Sequence, residues 1–351
     1  MRALIFSIMT AGIIQIFSGC AMEHGDLGNP SSVPIDPIDY DALFVTNGGD
    51  NSLTVINTST NEVRGTIALK NVAYPHHMSL SQDRSRLALA VPGKDLSAGH
   101  GGGGHAEMGG ALLLLDASTG ETMVGRRLEM SNHNAIFSPD GKEIWTSQMA
   151  MSSGTVLVLN AATLEIAYSI NVGNMPSEVS FSSDGKYAFA ANGMSDNVTV
   201  IDAASKQVIK NVPVGSGPVG AWTGSNNMMY VDNEAGKSLT AIDAATLEVV
   251  RTYDLGFTPG MAATLPNQEL WVTNTDNGKV AFYSMTSDSK LGELATGAGA
   301  HGLTFTSDGA KAYVSNQAAG TVSVIDVPTH TITASVSVGS KPNGLVFRPK
   351  L

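Results

Sequence analysis

One period governs this sequence. Short β-prone segments that end in asparagine (YAFAAN, MYVDN, LWVTN, AYVSN) close at Asn192, Asn233, Asn274 and Asn316, spaced 41, 41 and 42 residues apart. LFVTN closes the same way at Asn47. A second segment follows, as in LTVIN to Asn57, VTVID to Asp202, LTAID to Asp243 and VSVID to Asp326. A third follows (VRGTIAL, IAYSINV, ITASVSV), and then a fourth that ends in a Phe-like position and a turn, as in AIFSPDGK, VSFSSDGK and LTFTSDGA. The segments are rich in β-branched residues and are bounded by Gly, Asn, Asp or Ser. A four-strand unit of this size cannot bury its own apolar faces, so copies must pack on one another, and four strands per period of about 40 residues point to a propeller.

With the strands of each unit labelled a to d, sets b-c-d occur at 43–69, 86–128, 143–172, 187–214, 228–255, 270–295 and 312–338, and strand a near 76, 133, 177, 219, 260, 302 and 344. There are seven of each, but the chain opens on b and closes on a. The expected fold is therefore all-β: a seven-bladed β-propeller of four antiparallel strands per blade, with the C-terminal strand NGLVFRPK completing the first blade and removing the open edge. On these repeats residues 41–351 resemble the YVTN family of seven-bladed β-propellers. The resemblance implies the fold; propellers host many activities, so function has to come from the site.

Composition narrows the chemistry. The formal charge of −11, from 31 acidic and 20 basic residues, speaks against nucleic acid as a partner. A single cysteine, Cys20, excludes disulfides, Cys-based zinc sites, iron–sulfur clusters and haem attached through CxxCH. Arg2, the apolar run from Ala3 to Phe17 and the small residues Ser18 and Gly19 predict a secretory signal over 1–19. Phe17-Ser18-Gly19-Cys20 resembles a bacterial lipobox, which implies cleavage before Cys20, lipidation of its thiol and an extracytoplasmic, membrane-anchored protein; Ala21 then points to the outer rather than the inner membrane. An uncleaved anchor is the alternative, at the lower length limit and interrupted by Gln15. Residues 20–40 read as the lipidated cysteine and a flexible tether, and 41–351 as the propeller.

In an antiparallel blade, strand a begins and strand b ends at one face, here the upper. The d–a connections and b–c loops lie there, while the a–b and c–d turns, which are short and alike, lie below. The upper loops vary, which is where binding groups on a rigid scaffold are expected. The second blade has the longest, PGKDLSAGHGGGGHAEMGG, with His100, His105, Glu107 and Met108. Four residues before the Phe-like position of strand a, the blades carry in order Asn343, His76, His133, Ser177, Pro218, Pro259 and His301. The three imidazoles and Asn343 thus fall on a contiguous arc at the channel mouth, with His77 alongside. Met149, Met151 and Met194 lie in b–c loops of that face, and Met130 and Met175 in d–a connections; His24 and His330 lie elsewhere. Imidazole and thioether without thiolate suit copper; zinc on three histidines is the competing metal. The candidate ligands are His76, His133 and His301, supplemented by His77, His100, His105 and Met108.

Two other classes stay open. A metal-free scaffold would use the same face for a protein partner. The starts at His76-His77 and His301 are also similar to lactonase-type propellers, for which Glu178, beside Ser177, could serve as carboxylate; no arginine opens a strand a, which speaks against phosphorylated or carboxylated substrates. Similarity to the propellers of nitrous oxide reductase, amine dehydrogenases and haem-type nitrite reductases implies redox chemistry; the first is the nearest, its copper being held by histidines at one mouth. The leading expectation is a lipid-anchored binding protein with a metal at its upper mouth.

Overall fold

The computed structural model describes residues 28–97 and 109–351. The signal segment, Cys20, His24, His100, His105, Glu107 and Met108 lie outside the described residues. The described chain is all-β, with seven sheets that each hold an a-b-c-d order. Strands b and c are buried along almost their whole length, whereas strand d is mostly exposed. That gradient explains the sequence: strands covered on both faces read as continuous apolar runs, and the outermost strand alternates. The core lies between neighbouring blades. Leu43, Val45 and Ile56 of blade 1 pack with Tyr313, Val322 and Val324 of blade 7, which closes the ring.

Closure is made by strand a of blade 1, Pro342–Arg348, paired with Ala42–Asn47 in a register from Ala42↔Arg348 to Asn47↔Pro342. Arg348 is buried, and its guanidinium donates to the carbonyls of Ile38 and Arg84. The final strand is therefore tied to the N-terminal segment and to blade 2 as well as to its own sheet.

Two repeated devices account for the punctuation in the sequence. The terminal asparagine of strand b is buried, and its amide donates to side chains five and seven residues on: Asn47 to Ser52 and Thr54, Asn192 to Asn197 and Thr199, Asn233 to Ser238 and Thr240, Asn316 to Thr321 and Ser323. This closes the b–c turn. On the lower face, Ser138–Asp140, Ser182–Asp184 and Thr306–Asp308 bonds close the a–b turns, each followed by a glycine at positive φ (Gly141, Gly185, Gly309).

One boundary moves. Residues 31–40, expected to belong to a tether, are docked. Ser31–Val33 adds a fifth strand to the outer edge of blade 1, from Ser31↔Lys70 to Val33↔Ala68. Ile35 and Ile38 donate backbone N–H to Thr119 and Ser118 of blade 2, and Ile38 joins the core. Pro, Asp and Ser around these apolar residues look like linker composition, but a strand that adds to an exposed edge needs no long apolar pattern.

Candidate metal centre

The mouth is built from departures in strand a. A regular strand would point His76 and His77 to opposite faces. Instead, Ala90 of strand b accepts from His76 N–H at 3.0 Å and donates its own N–H to the His77 carbonyl at 2.9 Å, so two residues oppose one. Such a bulge re-aims a side chain, and here both rings reach the same space, stacked with centroids 4.5 Å apart. The neighbouring blade leaves room for them: a Cβ on Gly344 would stand 2.6 Å from the His76 carbonyl and 2.9 Å from the His77 Cα. The position is also braced across blades. Thr46, Thr273 and Ser315, each one residue before the terminal asparagine of strand b, donate to the carbonyls of His76, His301 and Asn343 of the next blade.

His133 of blade 3 completes a trio. Its ring lies 4.3 Å from His76 and 5.1 Å from His77, and all three residues are buried. One potential ligand atom from each of His76, His77 and His133 lies within 4.8 Å of the others. Glu178, only 2% exposed, binds two of the rings: its Oε1 lies 2.6 Å from Nδ1 of His77 and 2.7 Å from Nδ1 of His133. An ionised carboxylate can only accept, so both Nδ1 atoms donate to Glu178, and a neutral His133 ring then keeps its lone pair on Nε2. Oδ1 of Asn343 lies 3.0 Å from Nε2 of His77 and can only accept, so this nitrogen is open to an ion once it gives up its proton and the Asn343 contact. A carboxylate that orients imidazoles in this way is the outer shell usual for metal-binding histidines.

His301 stands one ring further out, with centroids 6.1 Å from His76 and 5.9 Å from His77. It lines a mouth pocket of about 420 Å³ together with Thr258, Thr275, Asp276, Gln317 and Lys341. The trio is thus His76, His77 and His133, and His301 belongs to the vestibule above it. Among the methionines, Met149 and Met175 are buried against Leu96 and fill an apolar gap, while Met130, Met151 and Met194 are exposed.

Two equivalences shift. Strand register pairs Thr223, not Trp222, with Met229, and Thr264, not Ala263, with Leu270. The mouth residues of blades 5 and 6 are therefore Val219 and Gly260 rather than Pro218 and Pro259. Trp222 looked like the Phe of other blades because of its size, but its ring sits 5.9 Å from His77 and its Nε1 donates to Asp232 at 2.5 Å. Sequence reasoning missed Asp232. It stands where Thr46, Thr273 and Ser315 stand in other blades, it is fully buried, and its Oδ2 has no hydrogen-bond partner. Burial, followed by the charges of Glu234 and Glu178, pushes its carboxyl well above the ordinary range.

With this geometry in hand, comparison with known proteins adds two findings. A family model described as outer membrane protein assembly factor BamB matches residues 134–340. No curated protein matches the sequence. Among solved structures, the fold is similar to a periplasmic gluconolactonase of Pseudomonas aeruginosa (18% identity, 89% of this chain and 99% of that one, TM-score 0.72). It is similar to a putative 6-phosphogluconolactonase of Bacteroides fragilis (19% identity, 88% and 98%, TM-score 0.70). It is also similar to the dihydro-heme d1 dehydrogenase NirN in complex with DHE (14% identity, 90% and 79%, TM-score 0.64). At these identities the likeness shows the fold alone. The last structure narrows the expectation of no haem: a single cysteine excludes attachment through CxxCH and says nothing about haem held without a covalent bond.

Proposed function

The chain belongs to the propeller family described as outer membrane protein assembly factor BamB, and from that premise we propose a lipid-anchored, extracytoplasmic propeller that binds one transition-metal ion, copper in preference to zinc, at its upper mouth. The family description and the periplasmic gluconolactonase support a location outside the cytoplasm; Cys20 supplies the anchor and, with Ala21 behind it, favours the outer membrane.

The observation that carries the metal reading is the convergence of three buried imidazoles from two blades, two of them held by one buried carboxylate. Apolar packing would not gather such groups, since each polar ring is costly to bury without partners. His76, His77 and His133 would hold the ion, which supplies a Lewis-acidic or redox-active centre when bound. Glu178 holds the protons on Nδ1 of His77 and His133, and Asn343 steadies His77. Imidazole binds copper(II) more tightly than zinc(II), which sets the preference. Calorimetric titration of the purified protein with each ion is expected to show one site per chain, stronger for copper and absent in a His76→Ala/His133→Ala variant that keeps its β-sheet circular dichroism. A wild type that takes up neither ion overturns the reading.

The pocket of about 420 Å³ beside His301 favours a second reading, a hydrolase acting on a small cyclic ester such as a lactone. Turnover of a lactone panel that is lost in His301→Ala, with metal uptake unchanged, would support it.

A further inference from the structure

The N-terminal segment fixes where the described chain leaves the propeller. Strand d of blade 1, Glu62–Lys70, follows a lower c–d turn and therefore rises to the upper face. Ser31–Val33 pairs with it antiparallel, with Ser31 opposite Lys70, so the added strand descends and residue 31 lies at the top. Three bonds hold what precedes it at the same rim. Asn71, the first residue after strand d, donates to the Asn29 carbonyl. Arg127, the last residue of strand d in blade 2, donates to the carbonyls of Gly28 and Asn71. Residue 28 is thereby tied to the upper rim between blades 1 and 2, on the face that carries the histidine trio and the mouth pocket.

Cys20 is eight residues before Gly28. At ~3.5 Å per residue the intervening chain spans at most about 28 Å fully extended. A six-residue strand is already about 20 Å long before loops are added at either end. A tether of that length could set the lower face against a bilayer only by running the height of a blade almost taut. We propose that the upper face is held toward the lipid surface, so that the histidine mouth opens into the narrow space between propeller and bilayer and takes its ligand from there. The proposal rests on the Cys20 lipid anchor proposed above and is independent of the metal.

The test uses the full-length lipidated protein in phosphatidylethanolamine/phosphatidylglycerol vesicles that carry an acceptor dye on the headgroups. Single donor-labelled cysteines are placed at exposed sites on the two faces of one blade, Met151→Cys above and Thr163→Cys below, and likewise Ala319→Cys above and Pro328→Cys below in blade 7. Energy transfer is expected to be about twofold or more greater from the upper label of each pair, and the two are expected to become equal when roughly twenty Gly/Ser residues are inserted after Met22. Equal transfer within both pairs, or a larger signal from below, overturns the orientation. A difference that survives the insertion overturns the role of the tether. The mass of the N-terminal peptide separates the premise from the proposal: no diacylglyceryl addition on Cys20 overturns the anchor, whereas a lipidated protein without the difference overturns the orientation alone.

Discussion

Two arcs of the same channel mouth face one another with the same backbone and different chemistry. In blades 7, 1, 2, 3 and 4 the mouth carries His301, Asn343, His76, His133 and Ser177, with His77 and Glu178 next in line. In blades 5 and 6 it carries Val219 and Gly260. Both arcs have the same strand order and bulges in strand a near its start. The scaffold is therefore indifferent to what stands at the mouth, and within the polar arc His77 and His133 share Glu178 while His77 also faces Asn343. The apolar arc has its own exception, Asp232, whose Oδ1 accepts from Trp222 Nε1.

The strongest way to break the contrast is to strip the polar arc. The His76→Ala/His133→Ala variant is expected to lose metal uptake altogether, read by elemental analysis after gel filtration. Next comes Glu178→Gln, which keeps shape but replaces the charged carboxylate with a neutral amide that has a single acceptor oxygen; affinity for copper is expected to fall about 10- to 100-fold in competition with a chelator, as for other outer-shell partners. Gly344→Ala changes no ligand, yet its Cβ meets the His76 carbonyl at 2.6 Å. Overpacking of this kind costs about 1–3 kcal/mol, so denaturant unfolding should show that loss together with weakened metal binding. His301→Ala is expected to change metal affinity by less than about tenfold, because its ring lies outside the trio.

The smallest effect belongs to Asp232. Burial raises its folded carboxyl above the ordinary 3.8, so the folded state binds that proton more tightly than the unfolded chain does. Its contribution to stability is best in acid and declines as pH rises from the ordinary value up through the raised one. Asp232→Asn keeps an acceptor for Trp222 Nε1 and removes the ionisation. Its melting temperature is expected to exceed the wild type at neutral pH and to converge with it below about pH 4; a variant that is less stable at neutral pH would contradict this.

The propeller could be read from the sequence because its signals are local and repeated: a buried asparagine closes each b–c turn where serine, threonine or asparagine stands five residues on and serine or threonine seven, and Asp–Gly turns close the lower face. Asn274 shows the rule by exception, since Lys279 and Ala281 offer no such acceptors and the asparagine instead takes the Asn277 N–H. The candidate site was legible in part. His76, His133 and His301 follow from register alone, but the bulge that brings His77 into the trio leaves no mark in the residues themselves. Trp222 shifted the register of blade 5 by one because bulk imitates the Phe position. Asp232 did leave a signal, an acid where other blades carry Thr or Ser, but its meaning depends on burial. The docked strand at 31–33 is a tertiary event, decided by an edge that only the folded blade 1 supplies.

The central claim is that three imidazoles form one centre, and the most direct measurement is X-ray absorption of the copper-loaded protein. The expected spectrum shows a nitrogen shell with outer-shell imidazole scattering from three rings, reduced in the His77→Ala variant and lost in His76→Ala/His133→Ala. A shell of oxygen ligands without imidazole scattering, or a spectrum unchanged in those variants, would contradict it.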